Sequence, residues 1–263
     1  RSGLENNFRV ELSGDDVTTS AGSSVKNLLF QTTKRVVLEE NTGTSCQFCP
    51  QGHVVMEKLE AEFGDRFVPI AIHGYTGGST FATSESQSYS TFLGLSAAPS
   101  AVIDRTYAAM PMGEGYHMIT PEGGLWYDLV TSQMNKYADA DITVSSSGVD
   151  ETESNVVVNA TVKYAYNAKN LNVNILTAVL EDKLPSAQTN AFVNSDAEEM
   201  ADWRAGGKYG TNPAAYIYTN VFRGLDGNTL YNGVGGKIPS EVEAGKSYNF
   251  NITMPIPQAV SKP

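Results

Sequence analysis

The hydrophobic period of this chain changes near residue 140. Before that point, short β-branched runs alternate with helical stretches. "RVVLEE" (35–40) carries the residue types that strands favour. "QGHVVMEKLEAEFG" (51–64) sets Val54, Val55, Leu59 and Phe63 on roughly one helical face, with Gly64 placed as the stop after the last turn. "RFVPIAIHG" (66–74) predicts a second strand, followed by a Gly/Ser/Thr loop over 74–83, a helix near 84–94, and a third strand in "PSAVIDR" (99–105). "TPEGGLWYDLVTSQMNKYA" (120–138) reads as a helix with Leu125, Leu129 and Met134 facing inward. Strands and helices in this order are the grammar of an α/β layer.

From about residue 141 the period is two. "DITVSSSG", "NVVVNATVKYAY", "LNVNILTAVLED", "AAYIYTNVFRG" and "KSYNFNITMP" alternate apolar with polar residues and are separated by Asn, Gly, Asp and Ser. This texture predicts a β-sandwich of the immunoglobulin kind. These runs fall short of the roughly seven strands such a sandwich uses, so either "NNFRVELSG" near the start supplies strands or the chain stops before its last one at "QAVSKP". The span 182–214 is too long and turn-rich for a hairpin loop and reads as an excursion or a binding loop. The expected division is an N-terminal extension over 1–33, an α/β domain over 34–139 and a β-sandwich domain over 140–263.

Composition narrows the partners. The 263 residues carry a formal charge of −11 with an isoelectric point near 4.7, which argues against nucleic acid and against adsorption on anionic lipid. No apolar run approaches the roughly 20 residues of a membrane span. The opening "RSGLENNF" has neither Met nor a signal-type apolar core, as a mature or trimmed chain would.

The chemistry concentrates in "TGTSCQFCPQG" (42–52), which holds both cysteines, Cys46 and Cys49. A metal clip needs more ligands; His53, one helical turn after Cys49, and His73 are the nearest in sequence, and His117 is the third histidine. Pro50 after the pair excludes the pattern for c-type haem attachment. A structural staple over so short a loop contributes only ~2 kcal/mol in the chain-entropy model. Rapid thiol exchange, by contrast, uses this spacing, because the second thiol resolves the mixed disulfide formed by the first.

Placement sharpens the third reading. The pair follows a strand and begins a helix, so Cys46 is expected at the helix N-terminus, where backbone N–H groups stabilise a thiolate, with Cys49 one turn inside and more buried. Pro50 falls in the first turn, where a missing N–H is tolerated. Glu40, at the end of the incoming strand, is either a proton acceptor for the resolving thiol or a solvated strand-end acid. Pro99 heads the third strand.

Strand, CxxC at a helix start, strand, helix, then Xaa-Pro opening a strand resembles the thioredoxin fold over residues 34–138. The resemblance implies Cys46 as nucleophile, Cys49 as resolving thiol, Glu40 as buried acid and a cis Ala98-Pro99 turn. Ser45 departs from it, standing where thioredoxins often carry Trp, and the loop between the second strand and its helix is longer. "VVLEENTGTSCQFCPQGH" followed by "PSAVIDR" and "YIYTNVFRG" further resembles the outer membrane protein twenty-eight-like family of Bacteroidetes lipoproteins, in which a thioredoxin-like domain precedes an immunoglobulin-like sandwich. That resemblance implies an exported chain, outer membrane-associated, periplasmic or at the cell surface, held only through a lipid anchor on an N-terminal Cys.

Two functions are carried forward. One is extracytoplasmic thiol–disulfide exchange with protein thiols or disulfides, using Cys46, Cys49, Glu40 and Pro99 and needing no cofactor and no metal. The other is a non-enzymatic surface-binding module with a structural disulfide, in which the β domain or its long insert contacts a partner through Trp203, Arg204, Tyr209 and Tyr216, residue types enriched in binding hot spots.

Overall fold

The computed structural model describes residues 28–105, 107–109, 125–210, 216–226 and 236–257. His117, "NNFRVELSG" and "QAVSKP" lie outside the described residues. Among those described, the first half forms β1 (Val36–Asn41), α1 (Pro50–Phe63), β2 (Phe67–Ile72), α2 (Ser84–Phe92), β3 (Ser100–Ile103), β4 (Tyr107–Ala109) and α3 (Leu125–Met134). The second half forms β5 (Ala140–Val149), β6 (Asn155–Tyr164), β7 (Ala178–Glu181), β8 (Leu184–Ser186), β9 (Tyr216–Tyr218), β10 (Val221–Leu225) and β11 (Ser247–Pro255). The whole is a mixed α/β unit followed by a β domain.

A six-stranded sheet in the order β4-β3-β1-β2-β10-β7 centres the α/β unit. β1 runs parallel to β2 and antiparallel to β3, with Glu40 opposite Ala71 and Asn41 opposite Ser100. One face packs Val36, Leu38, Ala101 and Ile103 against Val55, Met56 and Leu59 of α1 and Trp126, Val130 and Met134 of α3. The other packs Ile70, Ile72 and Phe222 against Tyr89 of α2. Strands covered on both faces lose the two-residue alternation, which is why β1, β2 and β3 read as continuous buried runs.

Helix ends follow their sequence signals. Pro50 opens α1 with Cys49 in the capping position, and Gly64 closes it at φ 54°, a conformation that costs glycine little. α2 begins on a reciprocal cap: the Thr83 hydroxyl accepts from the Ser86 amide at 2.9 Å and the Ser86 hydroxyl accepts from the Thr83 amide at 2.9 Å. Farther along α2, Ser90 donates to the Leu95 carbonyl at 2.9 Å and so ties the helix to the loop before Pro99. Thr83→Ala should therefore lower stability by about 1 kcal/mol in urea unfolding, with an unchanged denaturant slope.

Two runs that alternation placed in the β domain pair elsewhere. β10 lies parallel to β2, and β7 lies antiparallel to β10, so "NVFRG" and "AVLE" complete the first sheet. Alternation reports which residues of a strand face inward but not which sheet receives it. "YIY" of β9 pairs with β8 in a two-stranded ribbon. The β domain itself rests on the antiparallel sheet β11-β6-β5, whose core joins Val162 and Tyr164 to Ile238 and Val242. Residues 28–33 form no strand. They stitch the junction instead: Thr32 donates to the Ala138 carbonyl at 2.6 Å and the Thr33 amide to Asp141 at 2.8 Å.

Candidate functional site

β1 delivers the chain into a tight turn ahead of α1. The Cys46 amide donates to the Gly43 carbonyl at 3.0 Å and the Cys49 amide to the Cys46 carbonyl at 3.2 Å. This folding back brings the two Cα atoms to 5.4 Å, and the sulfurs are joined in a disulfide. Cys46 thus sits in the turn before the helix rather than on its first residue, and Cys49 holds the capping position. The Ala98-Pro99 bond is cis. Because Ser100 is the register partner of Asn41, this turn stands beside the end of β1, and the Asn41 side chain donates to the Ala97 carbonyl at 2.8 Å. Cys46, Cys49, Glu40 and Pro99 therefore gather at one end of the sheet.

Two consecutive glutamates of β1 are buried with opposite outcomes. Glu39 meets Arg105, whose guanidinium lies 3.0 Å from Oε1, and accepts from the Tyr89 hydroxyl. Glu40 points to the other face, 1% exposed, and its Oε1 has no hydrogen-bond partner. A Cβ at Gly52 would stand 2.1 Å from that oxygen, so the carboxyl tip fills the space beneath the first turn of α1. Burial raises the Glu40 pKa to about 8, offset only in part by the neighbouring Thr42 hydroxyl. At pH 7 this side chain is a neutral acid, not the solvated strand-end carboxylate that the sequence also allowed.

The sequence reading missed what covers the pair. Cys46 is 3% exposed and Cys49 0%, because the excursion after β8 folds back over the CxxC loop. The Thr189 amide donates to the Thr44 carbonyl and the Ala191 amide to the Gln47 carbonyl, both at 2.8 Å. Between them Gln188 turns inward; its Nε2 donates to the Cys46 carbonyl at 2.7 Å and to the Gly43 carbonyl at 3.4 Å. Its Oε1 accepts from the Tyr218 hydroxyl and lies 3.2 Å from His53 Nε2. Length and turn content marked this excursion in the sequence, but nothing there pointed to its target 142 residues upstream.

Beneath the cover lies an aromatic cluster of Phe81, Phe192, Trp203, Tyr216 and Tyr218. Trp203 and Tyr216, candidates for an exposed binding patch, are buried in it. His53 stacks on Tyr216 with centroids 4.8 Å apart, and His73 meets Phe81 and Tyr218 edge-on at 5.2 and 5.3 Å. Burial lowers the His53 pKa to about 4. His73 drops to about 3, first through burial and then through the charges of His53 and Arg223. Both are neutral rings at neutral pH. Among the described residues no three His, Cys, Asp or Glu side chains are grouped to hold a metal ion. His53 and His73 face Gln188 and Ser79.

No protein-family model matches the chain, and no curated protein matches it in sequence. Among solved structures, HBP35 of Porphyromonas gingivalis is similar with a TM-score of 0.50 and 14% identity over 87% of this chain. This chain spans 66% of that one, just under two thirds of its length. A crystal structure of an Agrobacterium tumefaciens protein gives a TM-score of 0.46 and 12% identity, covering 86% of this chain and 80% of that one. At 14% identity the likeness to HBP35, itself a Bacteroidetes protein, concerns the fold and carries no chemistry.

Proposed function

We propose that this chain is an exported thiol–disulfide exchange protein, a thioredoxin-like domain joined to an immunoglobulin-like β domain, of the outer membrane protein twenty-eight-like family. The observation that carries the proposal is Glu40. A buried carboxyl with no ion pair and with one oxygen left without a hydrogen bond is expensive, and a structural disulfide has no use for one. A thiol couple does. With a pKa of about 8, the acid is matched to a free thiol near 8.5.

In the oxidised protein, a substrate thiolate attacks Cys46 Sγ, the sulfur–sulfur bond breaks, and the electron pair leaves on Cys49 Sγ. Glu40 supplies the proton that makes Cys49 a thiol. A second substrate thiolate then attacks the substrate sulfur of the mixed disulfide, the substrate leaves as a disulfide and Cys46 leaves as a thiolate, so two electrons pass from substrate to protein. Run backwards, Cys46 thiolate attacks a substrate disulfide, Glu40 carboxylate takes the Cys49 proton, and Cys49 thiolate displaces the reduced substrate. Partners are then protein thiols or disulfides. The acidic charge argues against nucleic acid as a partner, and the outer membrane is reached only through a lipid anchor. Among the described residues no helix is long and apolar enough to cross a membrane.

The deciding measurement is the potential of the Cys46–Cys49 pair in glutathione or dithiothreitol buffers, with Cys46→Ser as control. A midpoint of roughly −120 to −270 mV is expected; one well below about −300 mV overturns the proposal. That result would favour the second reading, a non-enzymatic surface-binding protein. One observation supports this alternative: Ile142 and Val144 of β5 are 57% and 55% exposed, and they line an apolar groove of about 370 Å³ with Val158, Val162 and Ile252.

A further inference from the structure

The segment over the disulfide is laid down as a bound polypeptide would be. Gln188 and Phe192 are buried, while Thr189 and Ala191 between them are exposed. Alternate amides, those of Thr189 and Ala191, donate to the CxxC loop. The loop answers with a row of carbonyls from Gly43, Thr44, Cys46 and Gln47, all of them taken by residues 188–191. These acceptors are neutral and suit backbone N–H groups and a primary amide, the chemistry of strand addition rather than of charge pairing. Beyond the loop, Ser186 donates to Thr80 at 3.2 Å and is the register partner of Tyr216, Asn190 donates to the Trp203 carbonyl at 2.6 Å, and Phe192 packs edge-on against Phe48 at 6.3 Å at the margin of the aromatic cluster.

Resting on the exchange reading above, we infer that residues 186–192 occupy in cis the edge that an extended polypeptide partner of the redox pair would use, with Gln188 as the positioning residue that holds them there. The sulfurs are then reached only when this segment lifts, and a partner strand with an amide side chain opposite Cys46 takes its place. Attack on a disulfide requires access to the sulfur as well as a thiolate, so the cover sets the rate of exchange without setting its direction.

Gln188→Met keeps the side-chain volume and removes every polar contact of the amide. Reduction by dithiothreitol should be about tenfold faster than in the unaltered protein, the effect of losing its hydrogen bonds to the loop, while the reduced-to-oxidised ratio in a fixed glutathione buffer changes by less than about threefold. Excess peptide of sequence SAQTNAF, residues 186–192, should slow the variant's reduction and a scrambled peptide should not. An unchanged rate, a rate gain matched by an equal shift in the equilibrium ratio, or indifference to the peptide overturns the inference. Should the variant not fold, amide exchange in the unaltered protein decides: Thr189 and Ala191 should open together and well ahead of the β1 amides, and opening only with β1 overturns it. If both proteins stay oxidised in glutathione while their dithiothreitol rates still differ, the cover stands and the exchange reading falls.

Discussion

Glu40→Gln should make the oxidised protein more stable at pH 8 by several kcal/mol and abolish most of its loss of stability between pH 6.5 and pH 8. The folded-state pKa of Glu40, about 8, lies above its ordinary value of 4.5. Between those values the folded protein keeps a proton that the unfolded chain has released, so stability falls as pH rises, by about 1.4 kcal/mol per pH unit. Over the full interval this amounts to roughly 4–5 kcal/mol, a large share of the 5–15 kcal/mol typical of a folded domain. Glutamine fills the same space and does not ionise. The oxidised form is the one to melt, because its sulfurs do not titrate. Denaturant unfolding of both proteins at pH 5, 6.5 and 8 checks the claim; parallel curves would mean that the carboxyl reaches water. The same substitution should slow reduction at pH 7 by about a hundredfold if the acid protonates departing Cys49, within the usual range for general acid catalysis.

On the acid side the slope should reverse. His53 and His73 have folded-state values of about 4 and about 3 against 6.5 in the unfolded chain. Below pH 6.5 the unfolded chain binds two protons that the folded protein refuses, so stability falls as pH drops, by about 2.7 kcal/mol per unit for the pair. Glu40 opposes this with its single proton down to about pH 4.5. The unaltered protein should therefore be most stable near pH 6.5, and Glu40→Gln should show a plateau above that value and a steeper fall below it. Imidazole proton shifts give an independent reading. The His53 and His73 signals should stay fixed from pH 7.5 to pH 5, whatever His117 does, and a midpoint near 6.5 for either would remove the effect.

Much of the α/β unit was legible because its elements announce themselves locally. The apolar face of "QGHVVMEKLEAEFG", Pro50 at its start and Gly64 at its end fix α1 without reference to anything distant. Spacing placed the two cysteines at the head of that helix after a strand, and the resemblance to the thioredoxin fold is what set Ala98-Pro99 beside them. The rest is written in tertiary contacts. Whether Glu40 is solvated depends on Gly52 and on the aromatic residues of β9, and a strand-end glutamate looks the same in either setting. Membership of β10 in the first sheet goes with burial along most of its length and that of β7 with its pairing to β10, neither of which a short run of apolar residues reveals. Gln188 carries no motif. It became part of the site only because the chain returns over the disulfide.

That return also fixes an order of events. The chain builds α1, leaves to make β5 and β6, and comes back with the cover only after another stretch of β structure. Gln188 follows Cys46 by 142 residues. In a chain emerging N-terminus first at ~5–20 residues per second, the two thiols precede their lid by roughly 7–28 s. For that interval the cysteines have no segment to cover them, and any folding of the α/β unit during synthesis leaves the pair bare until the chain returns.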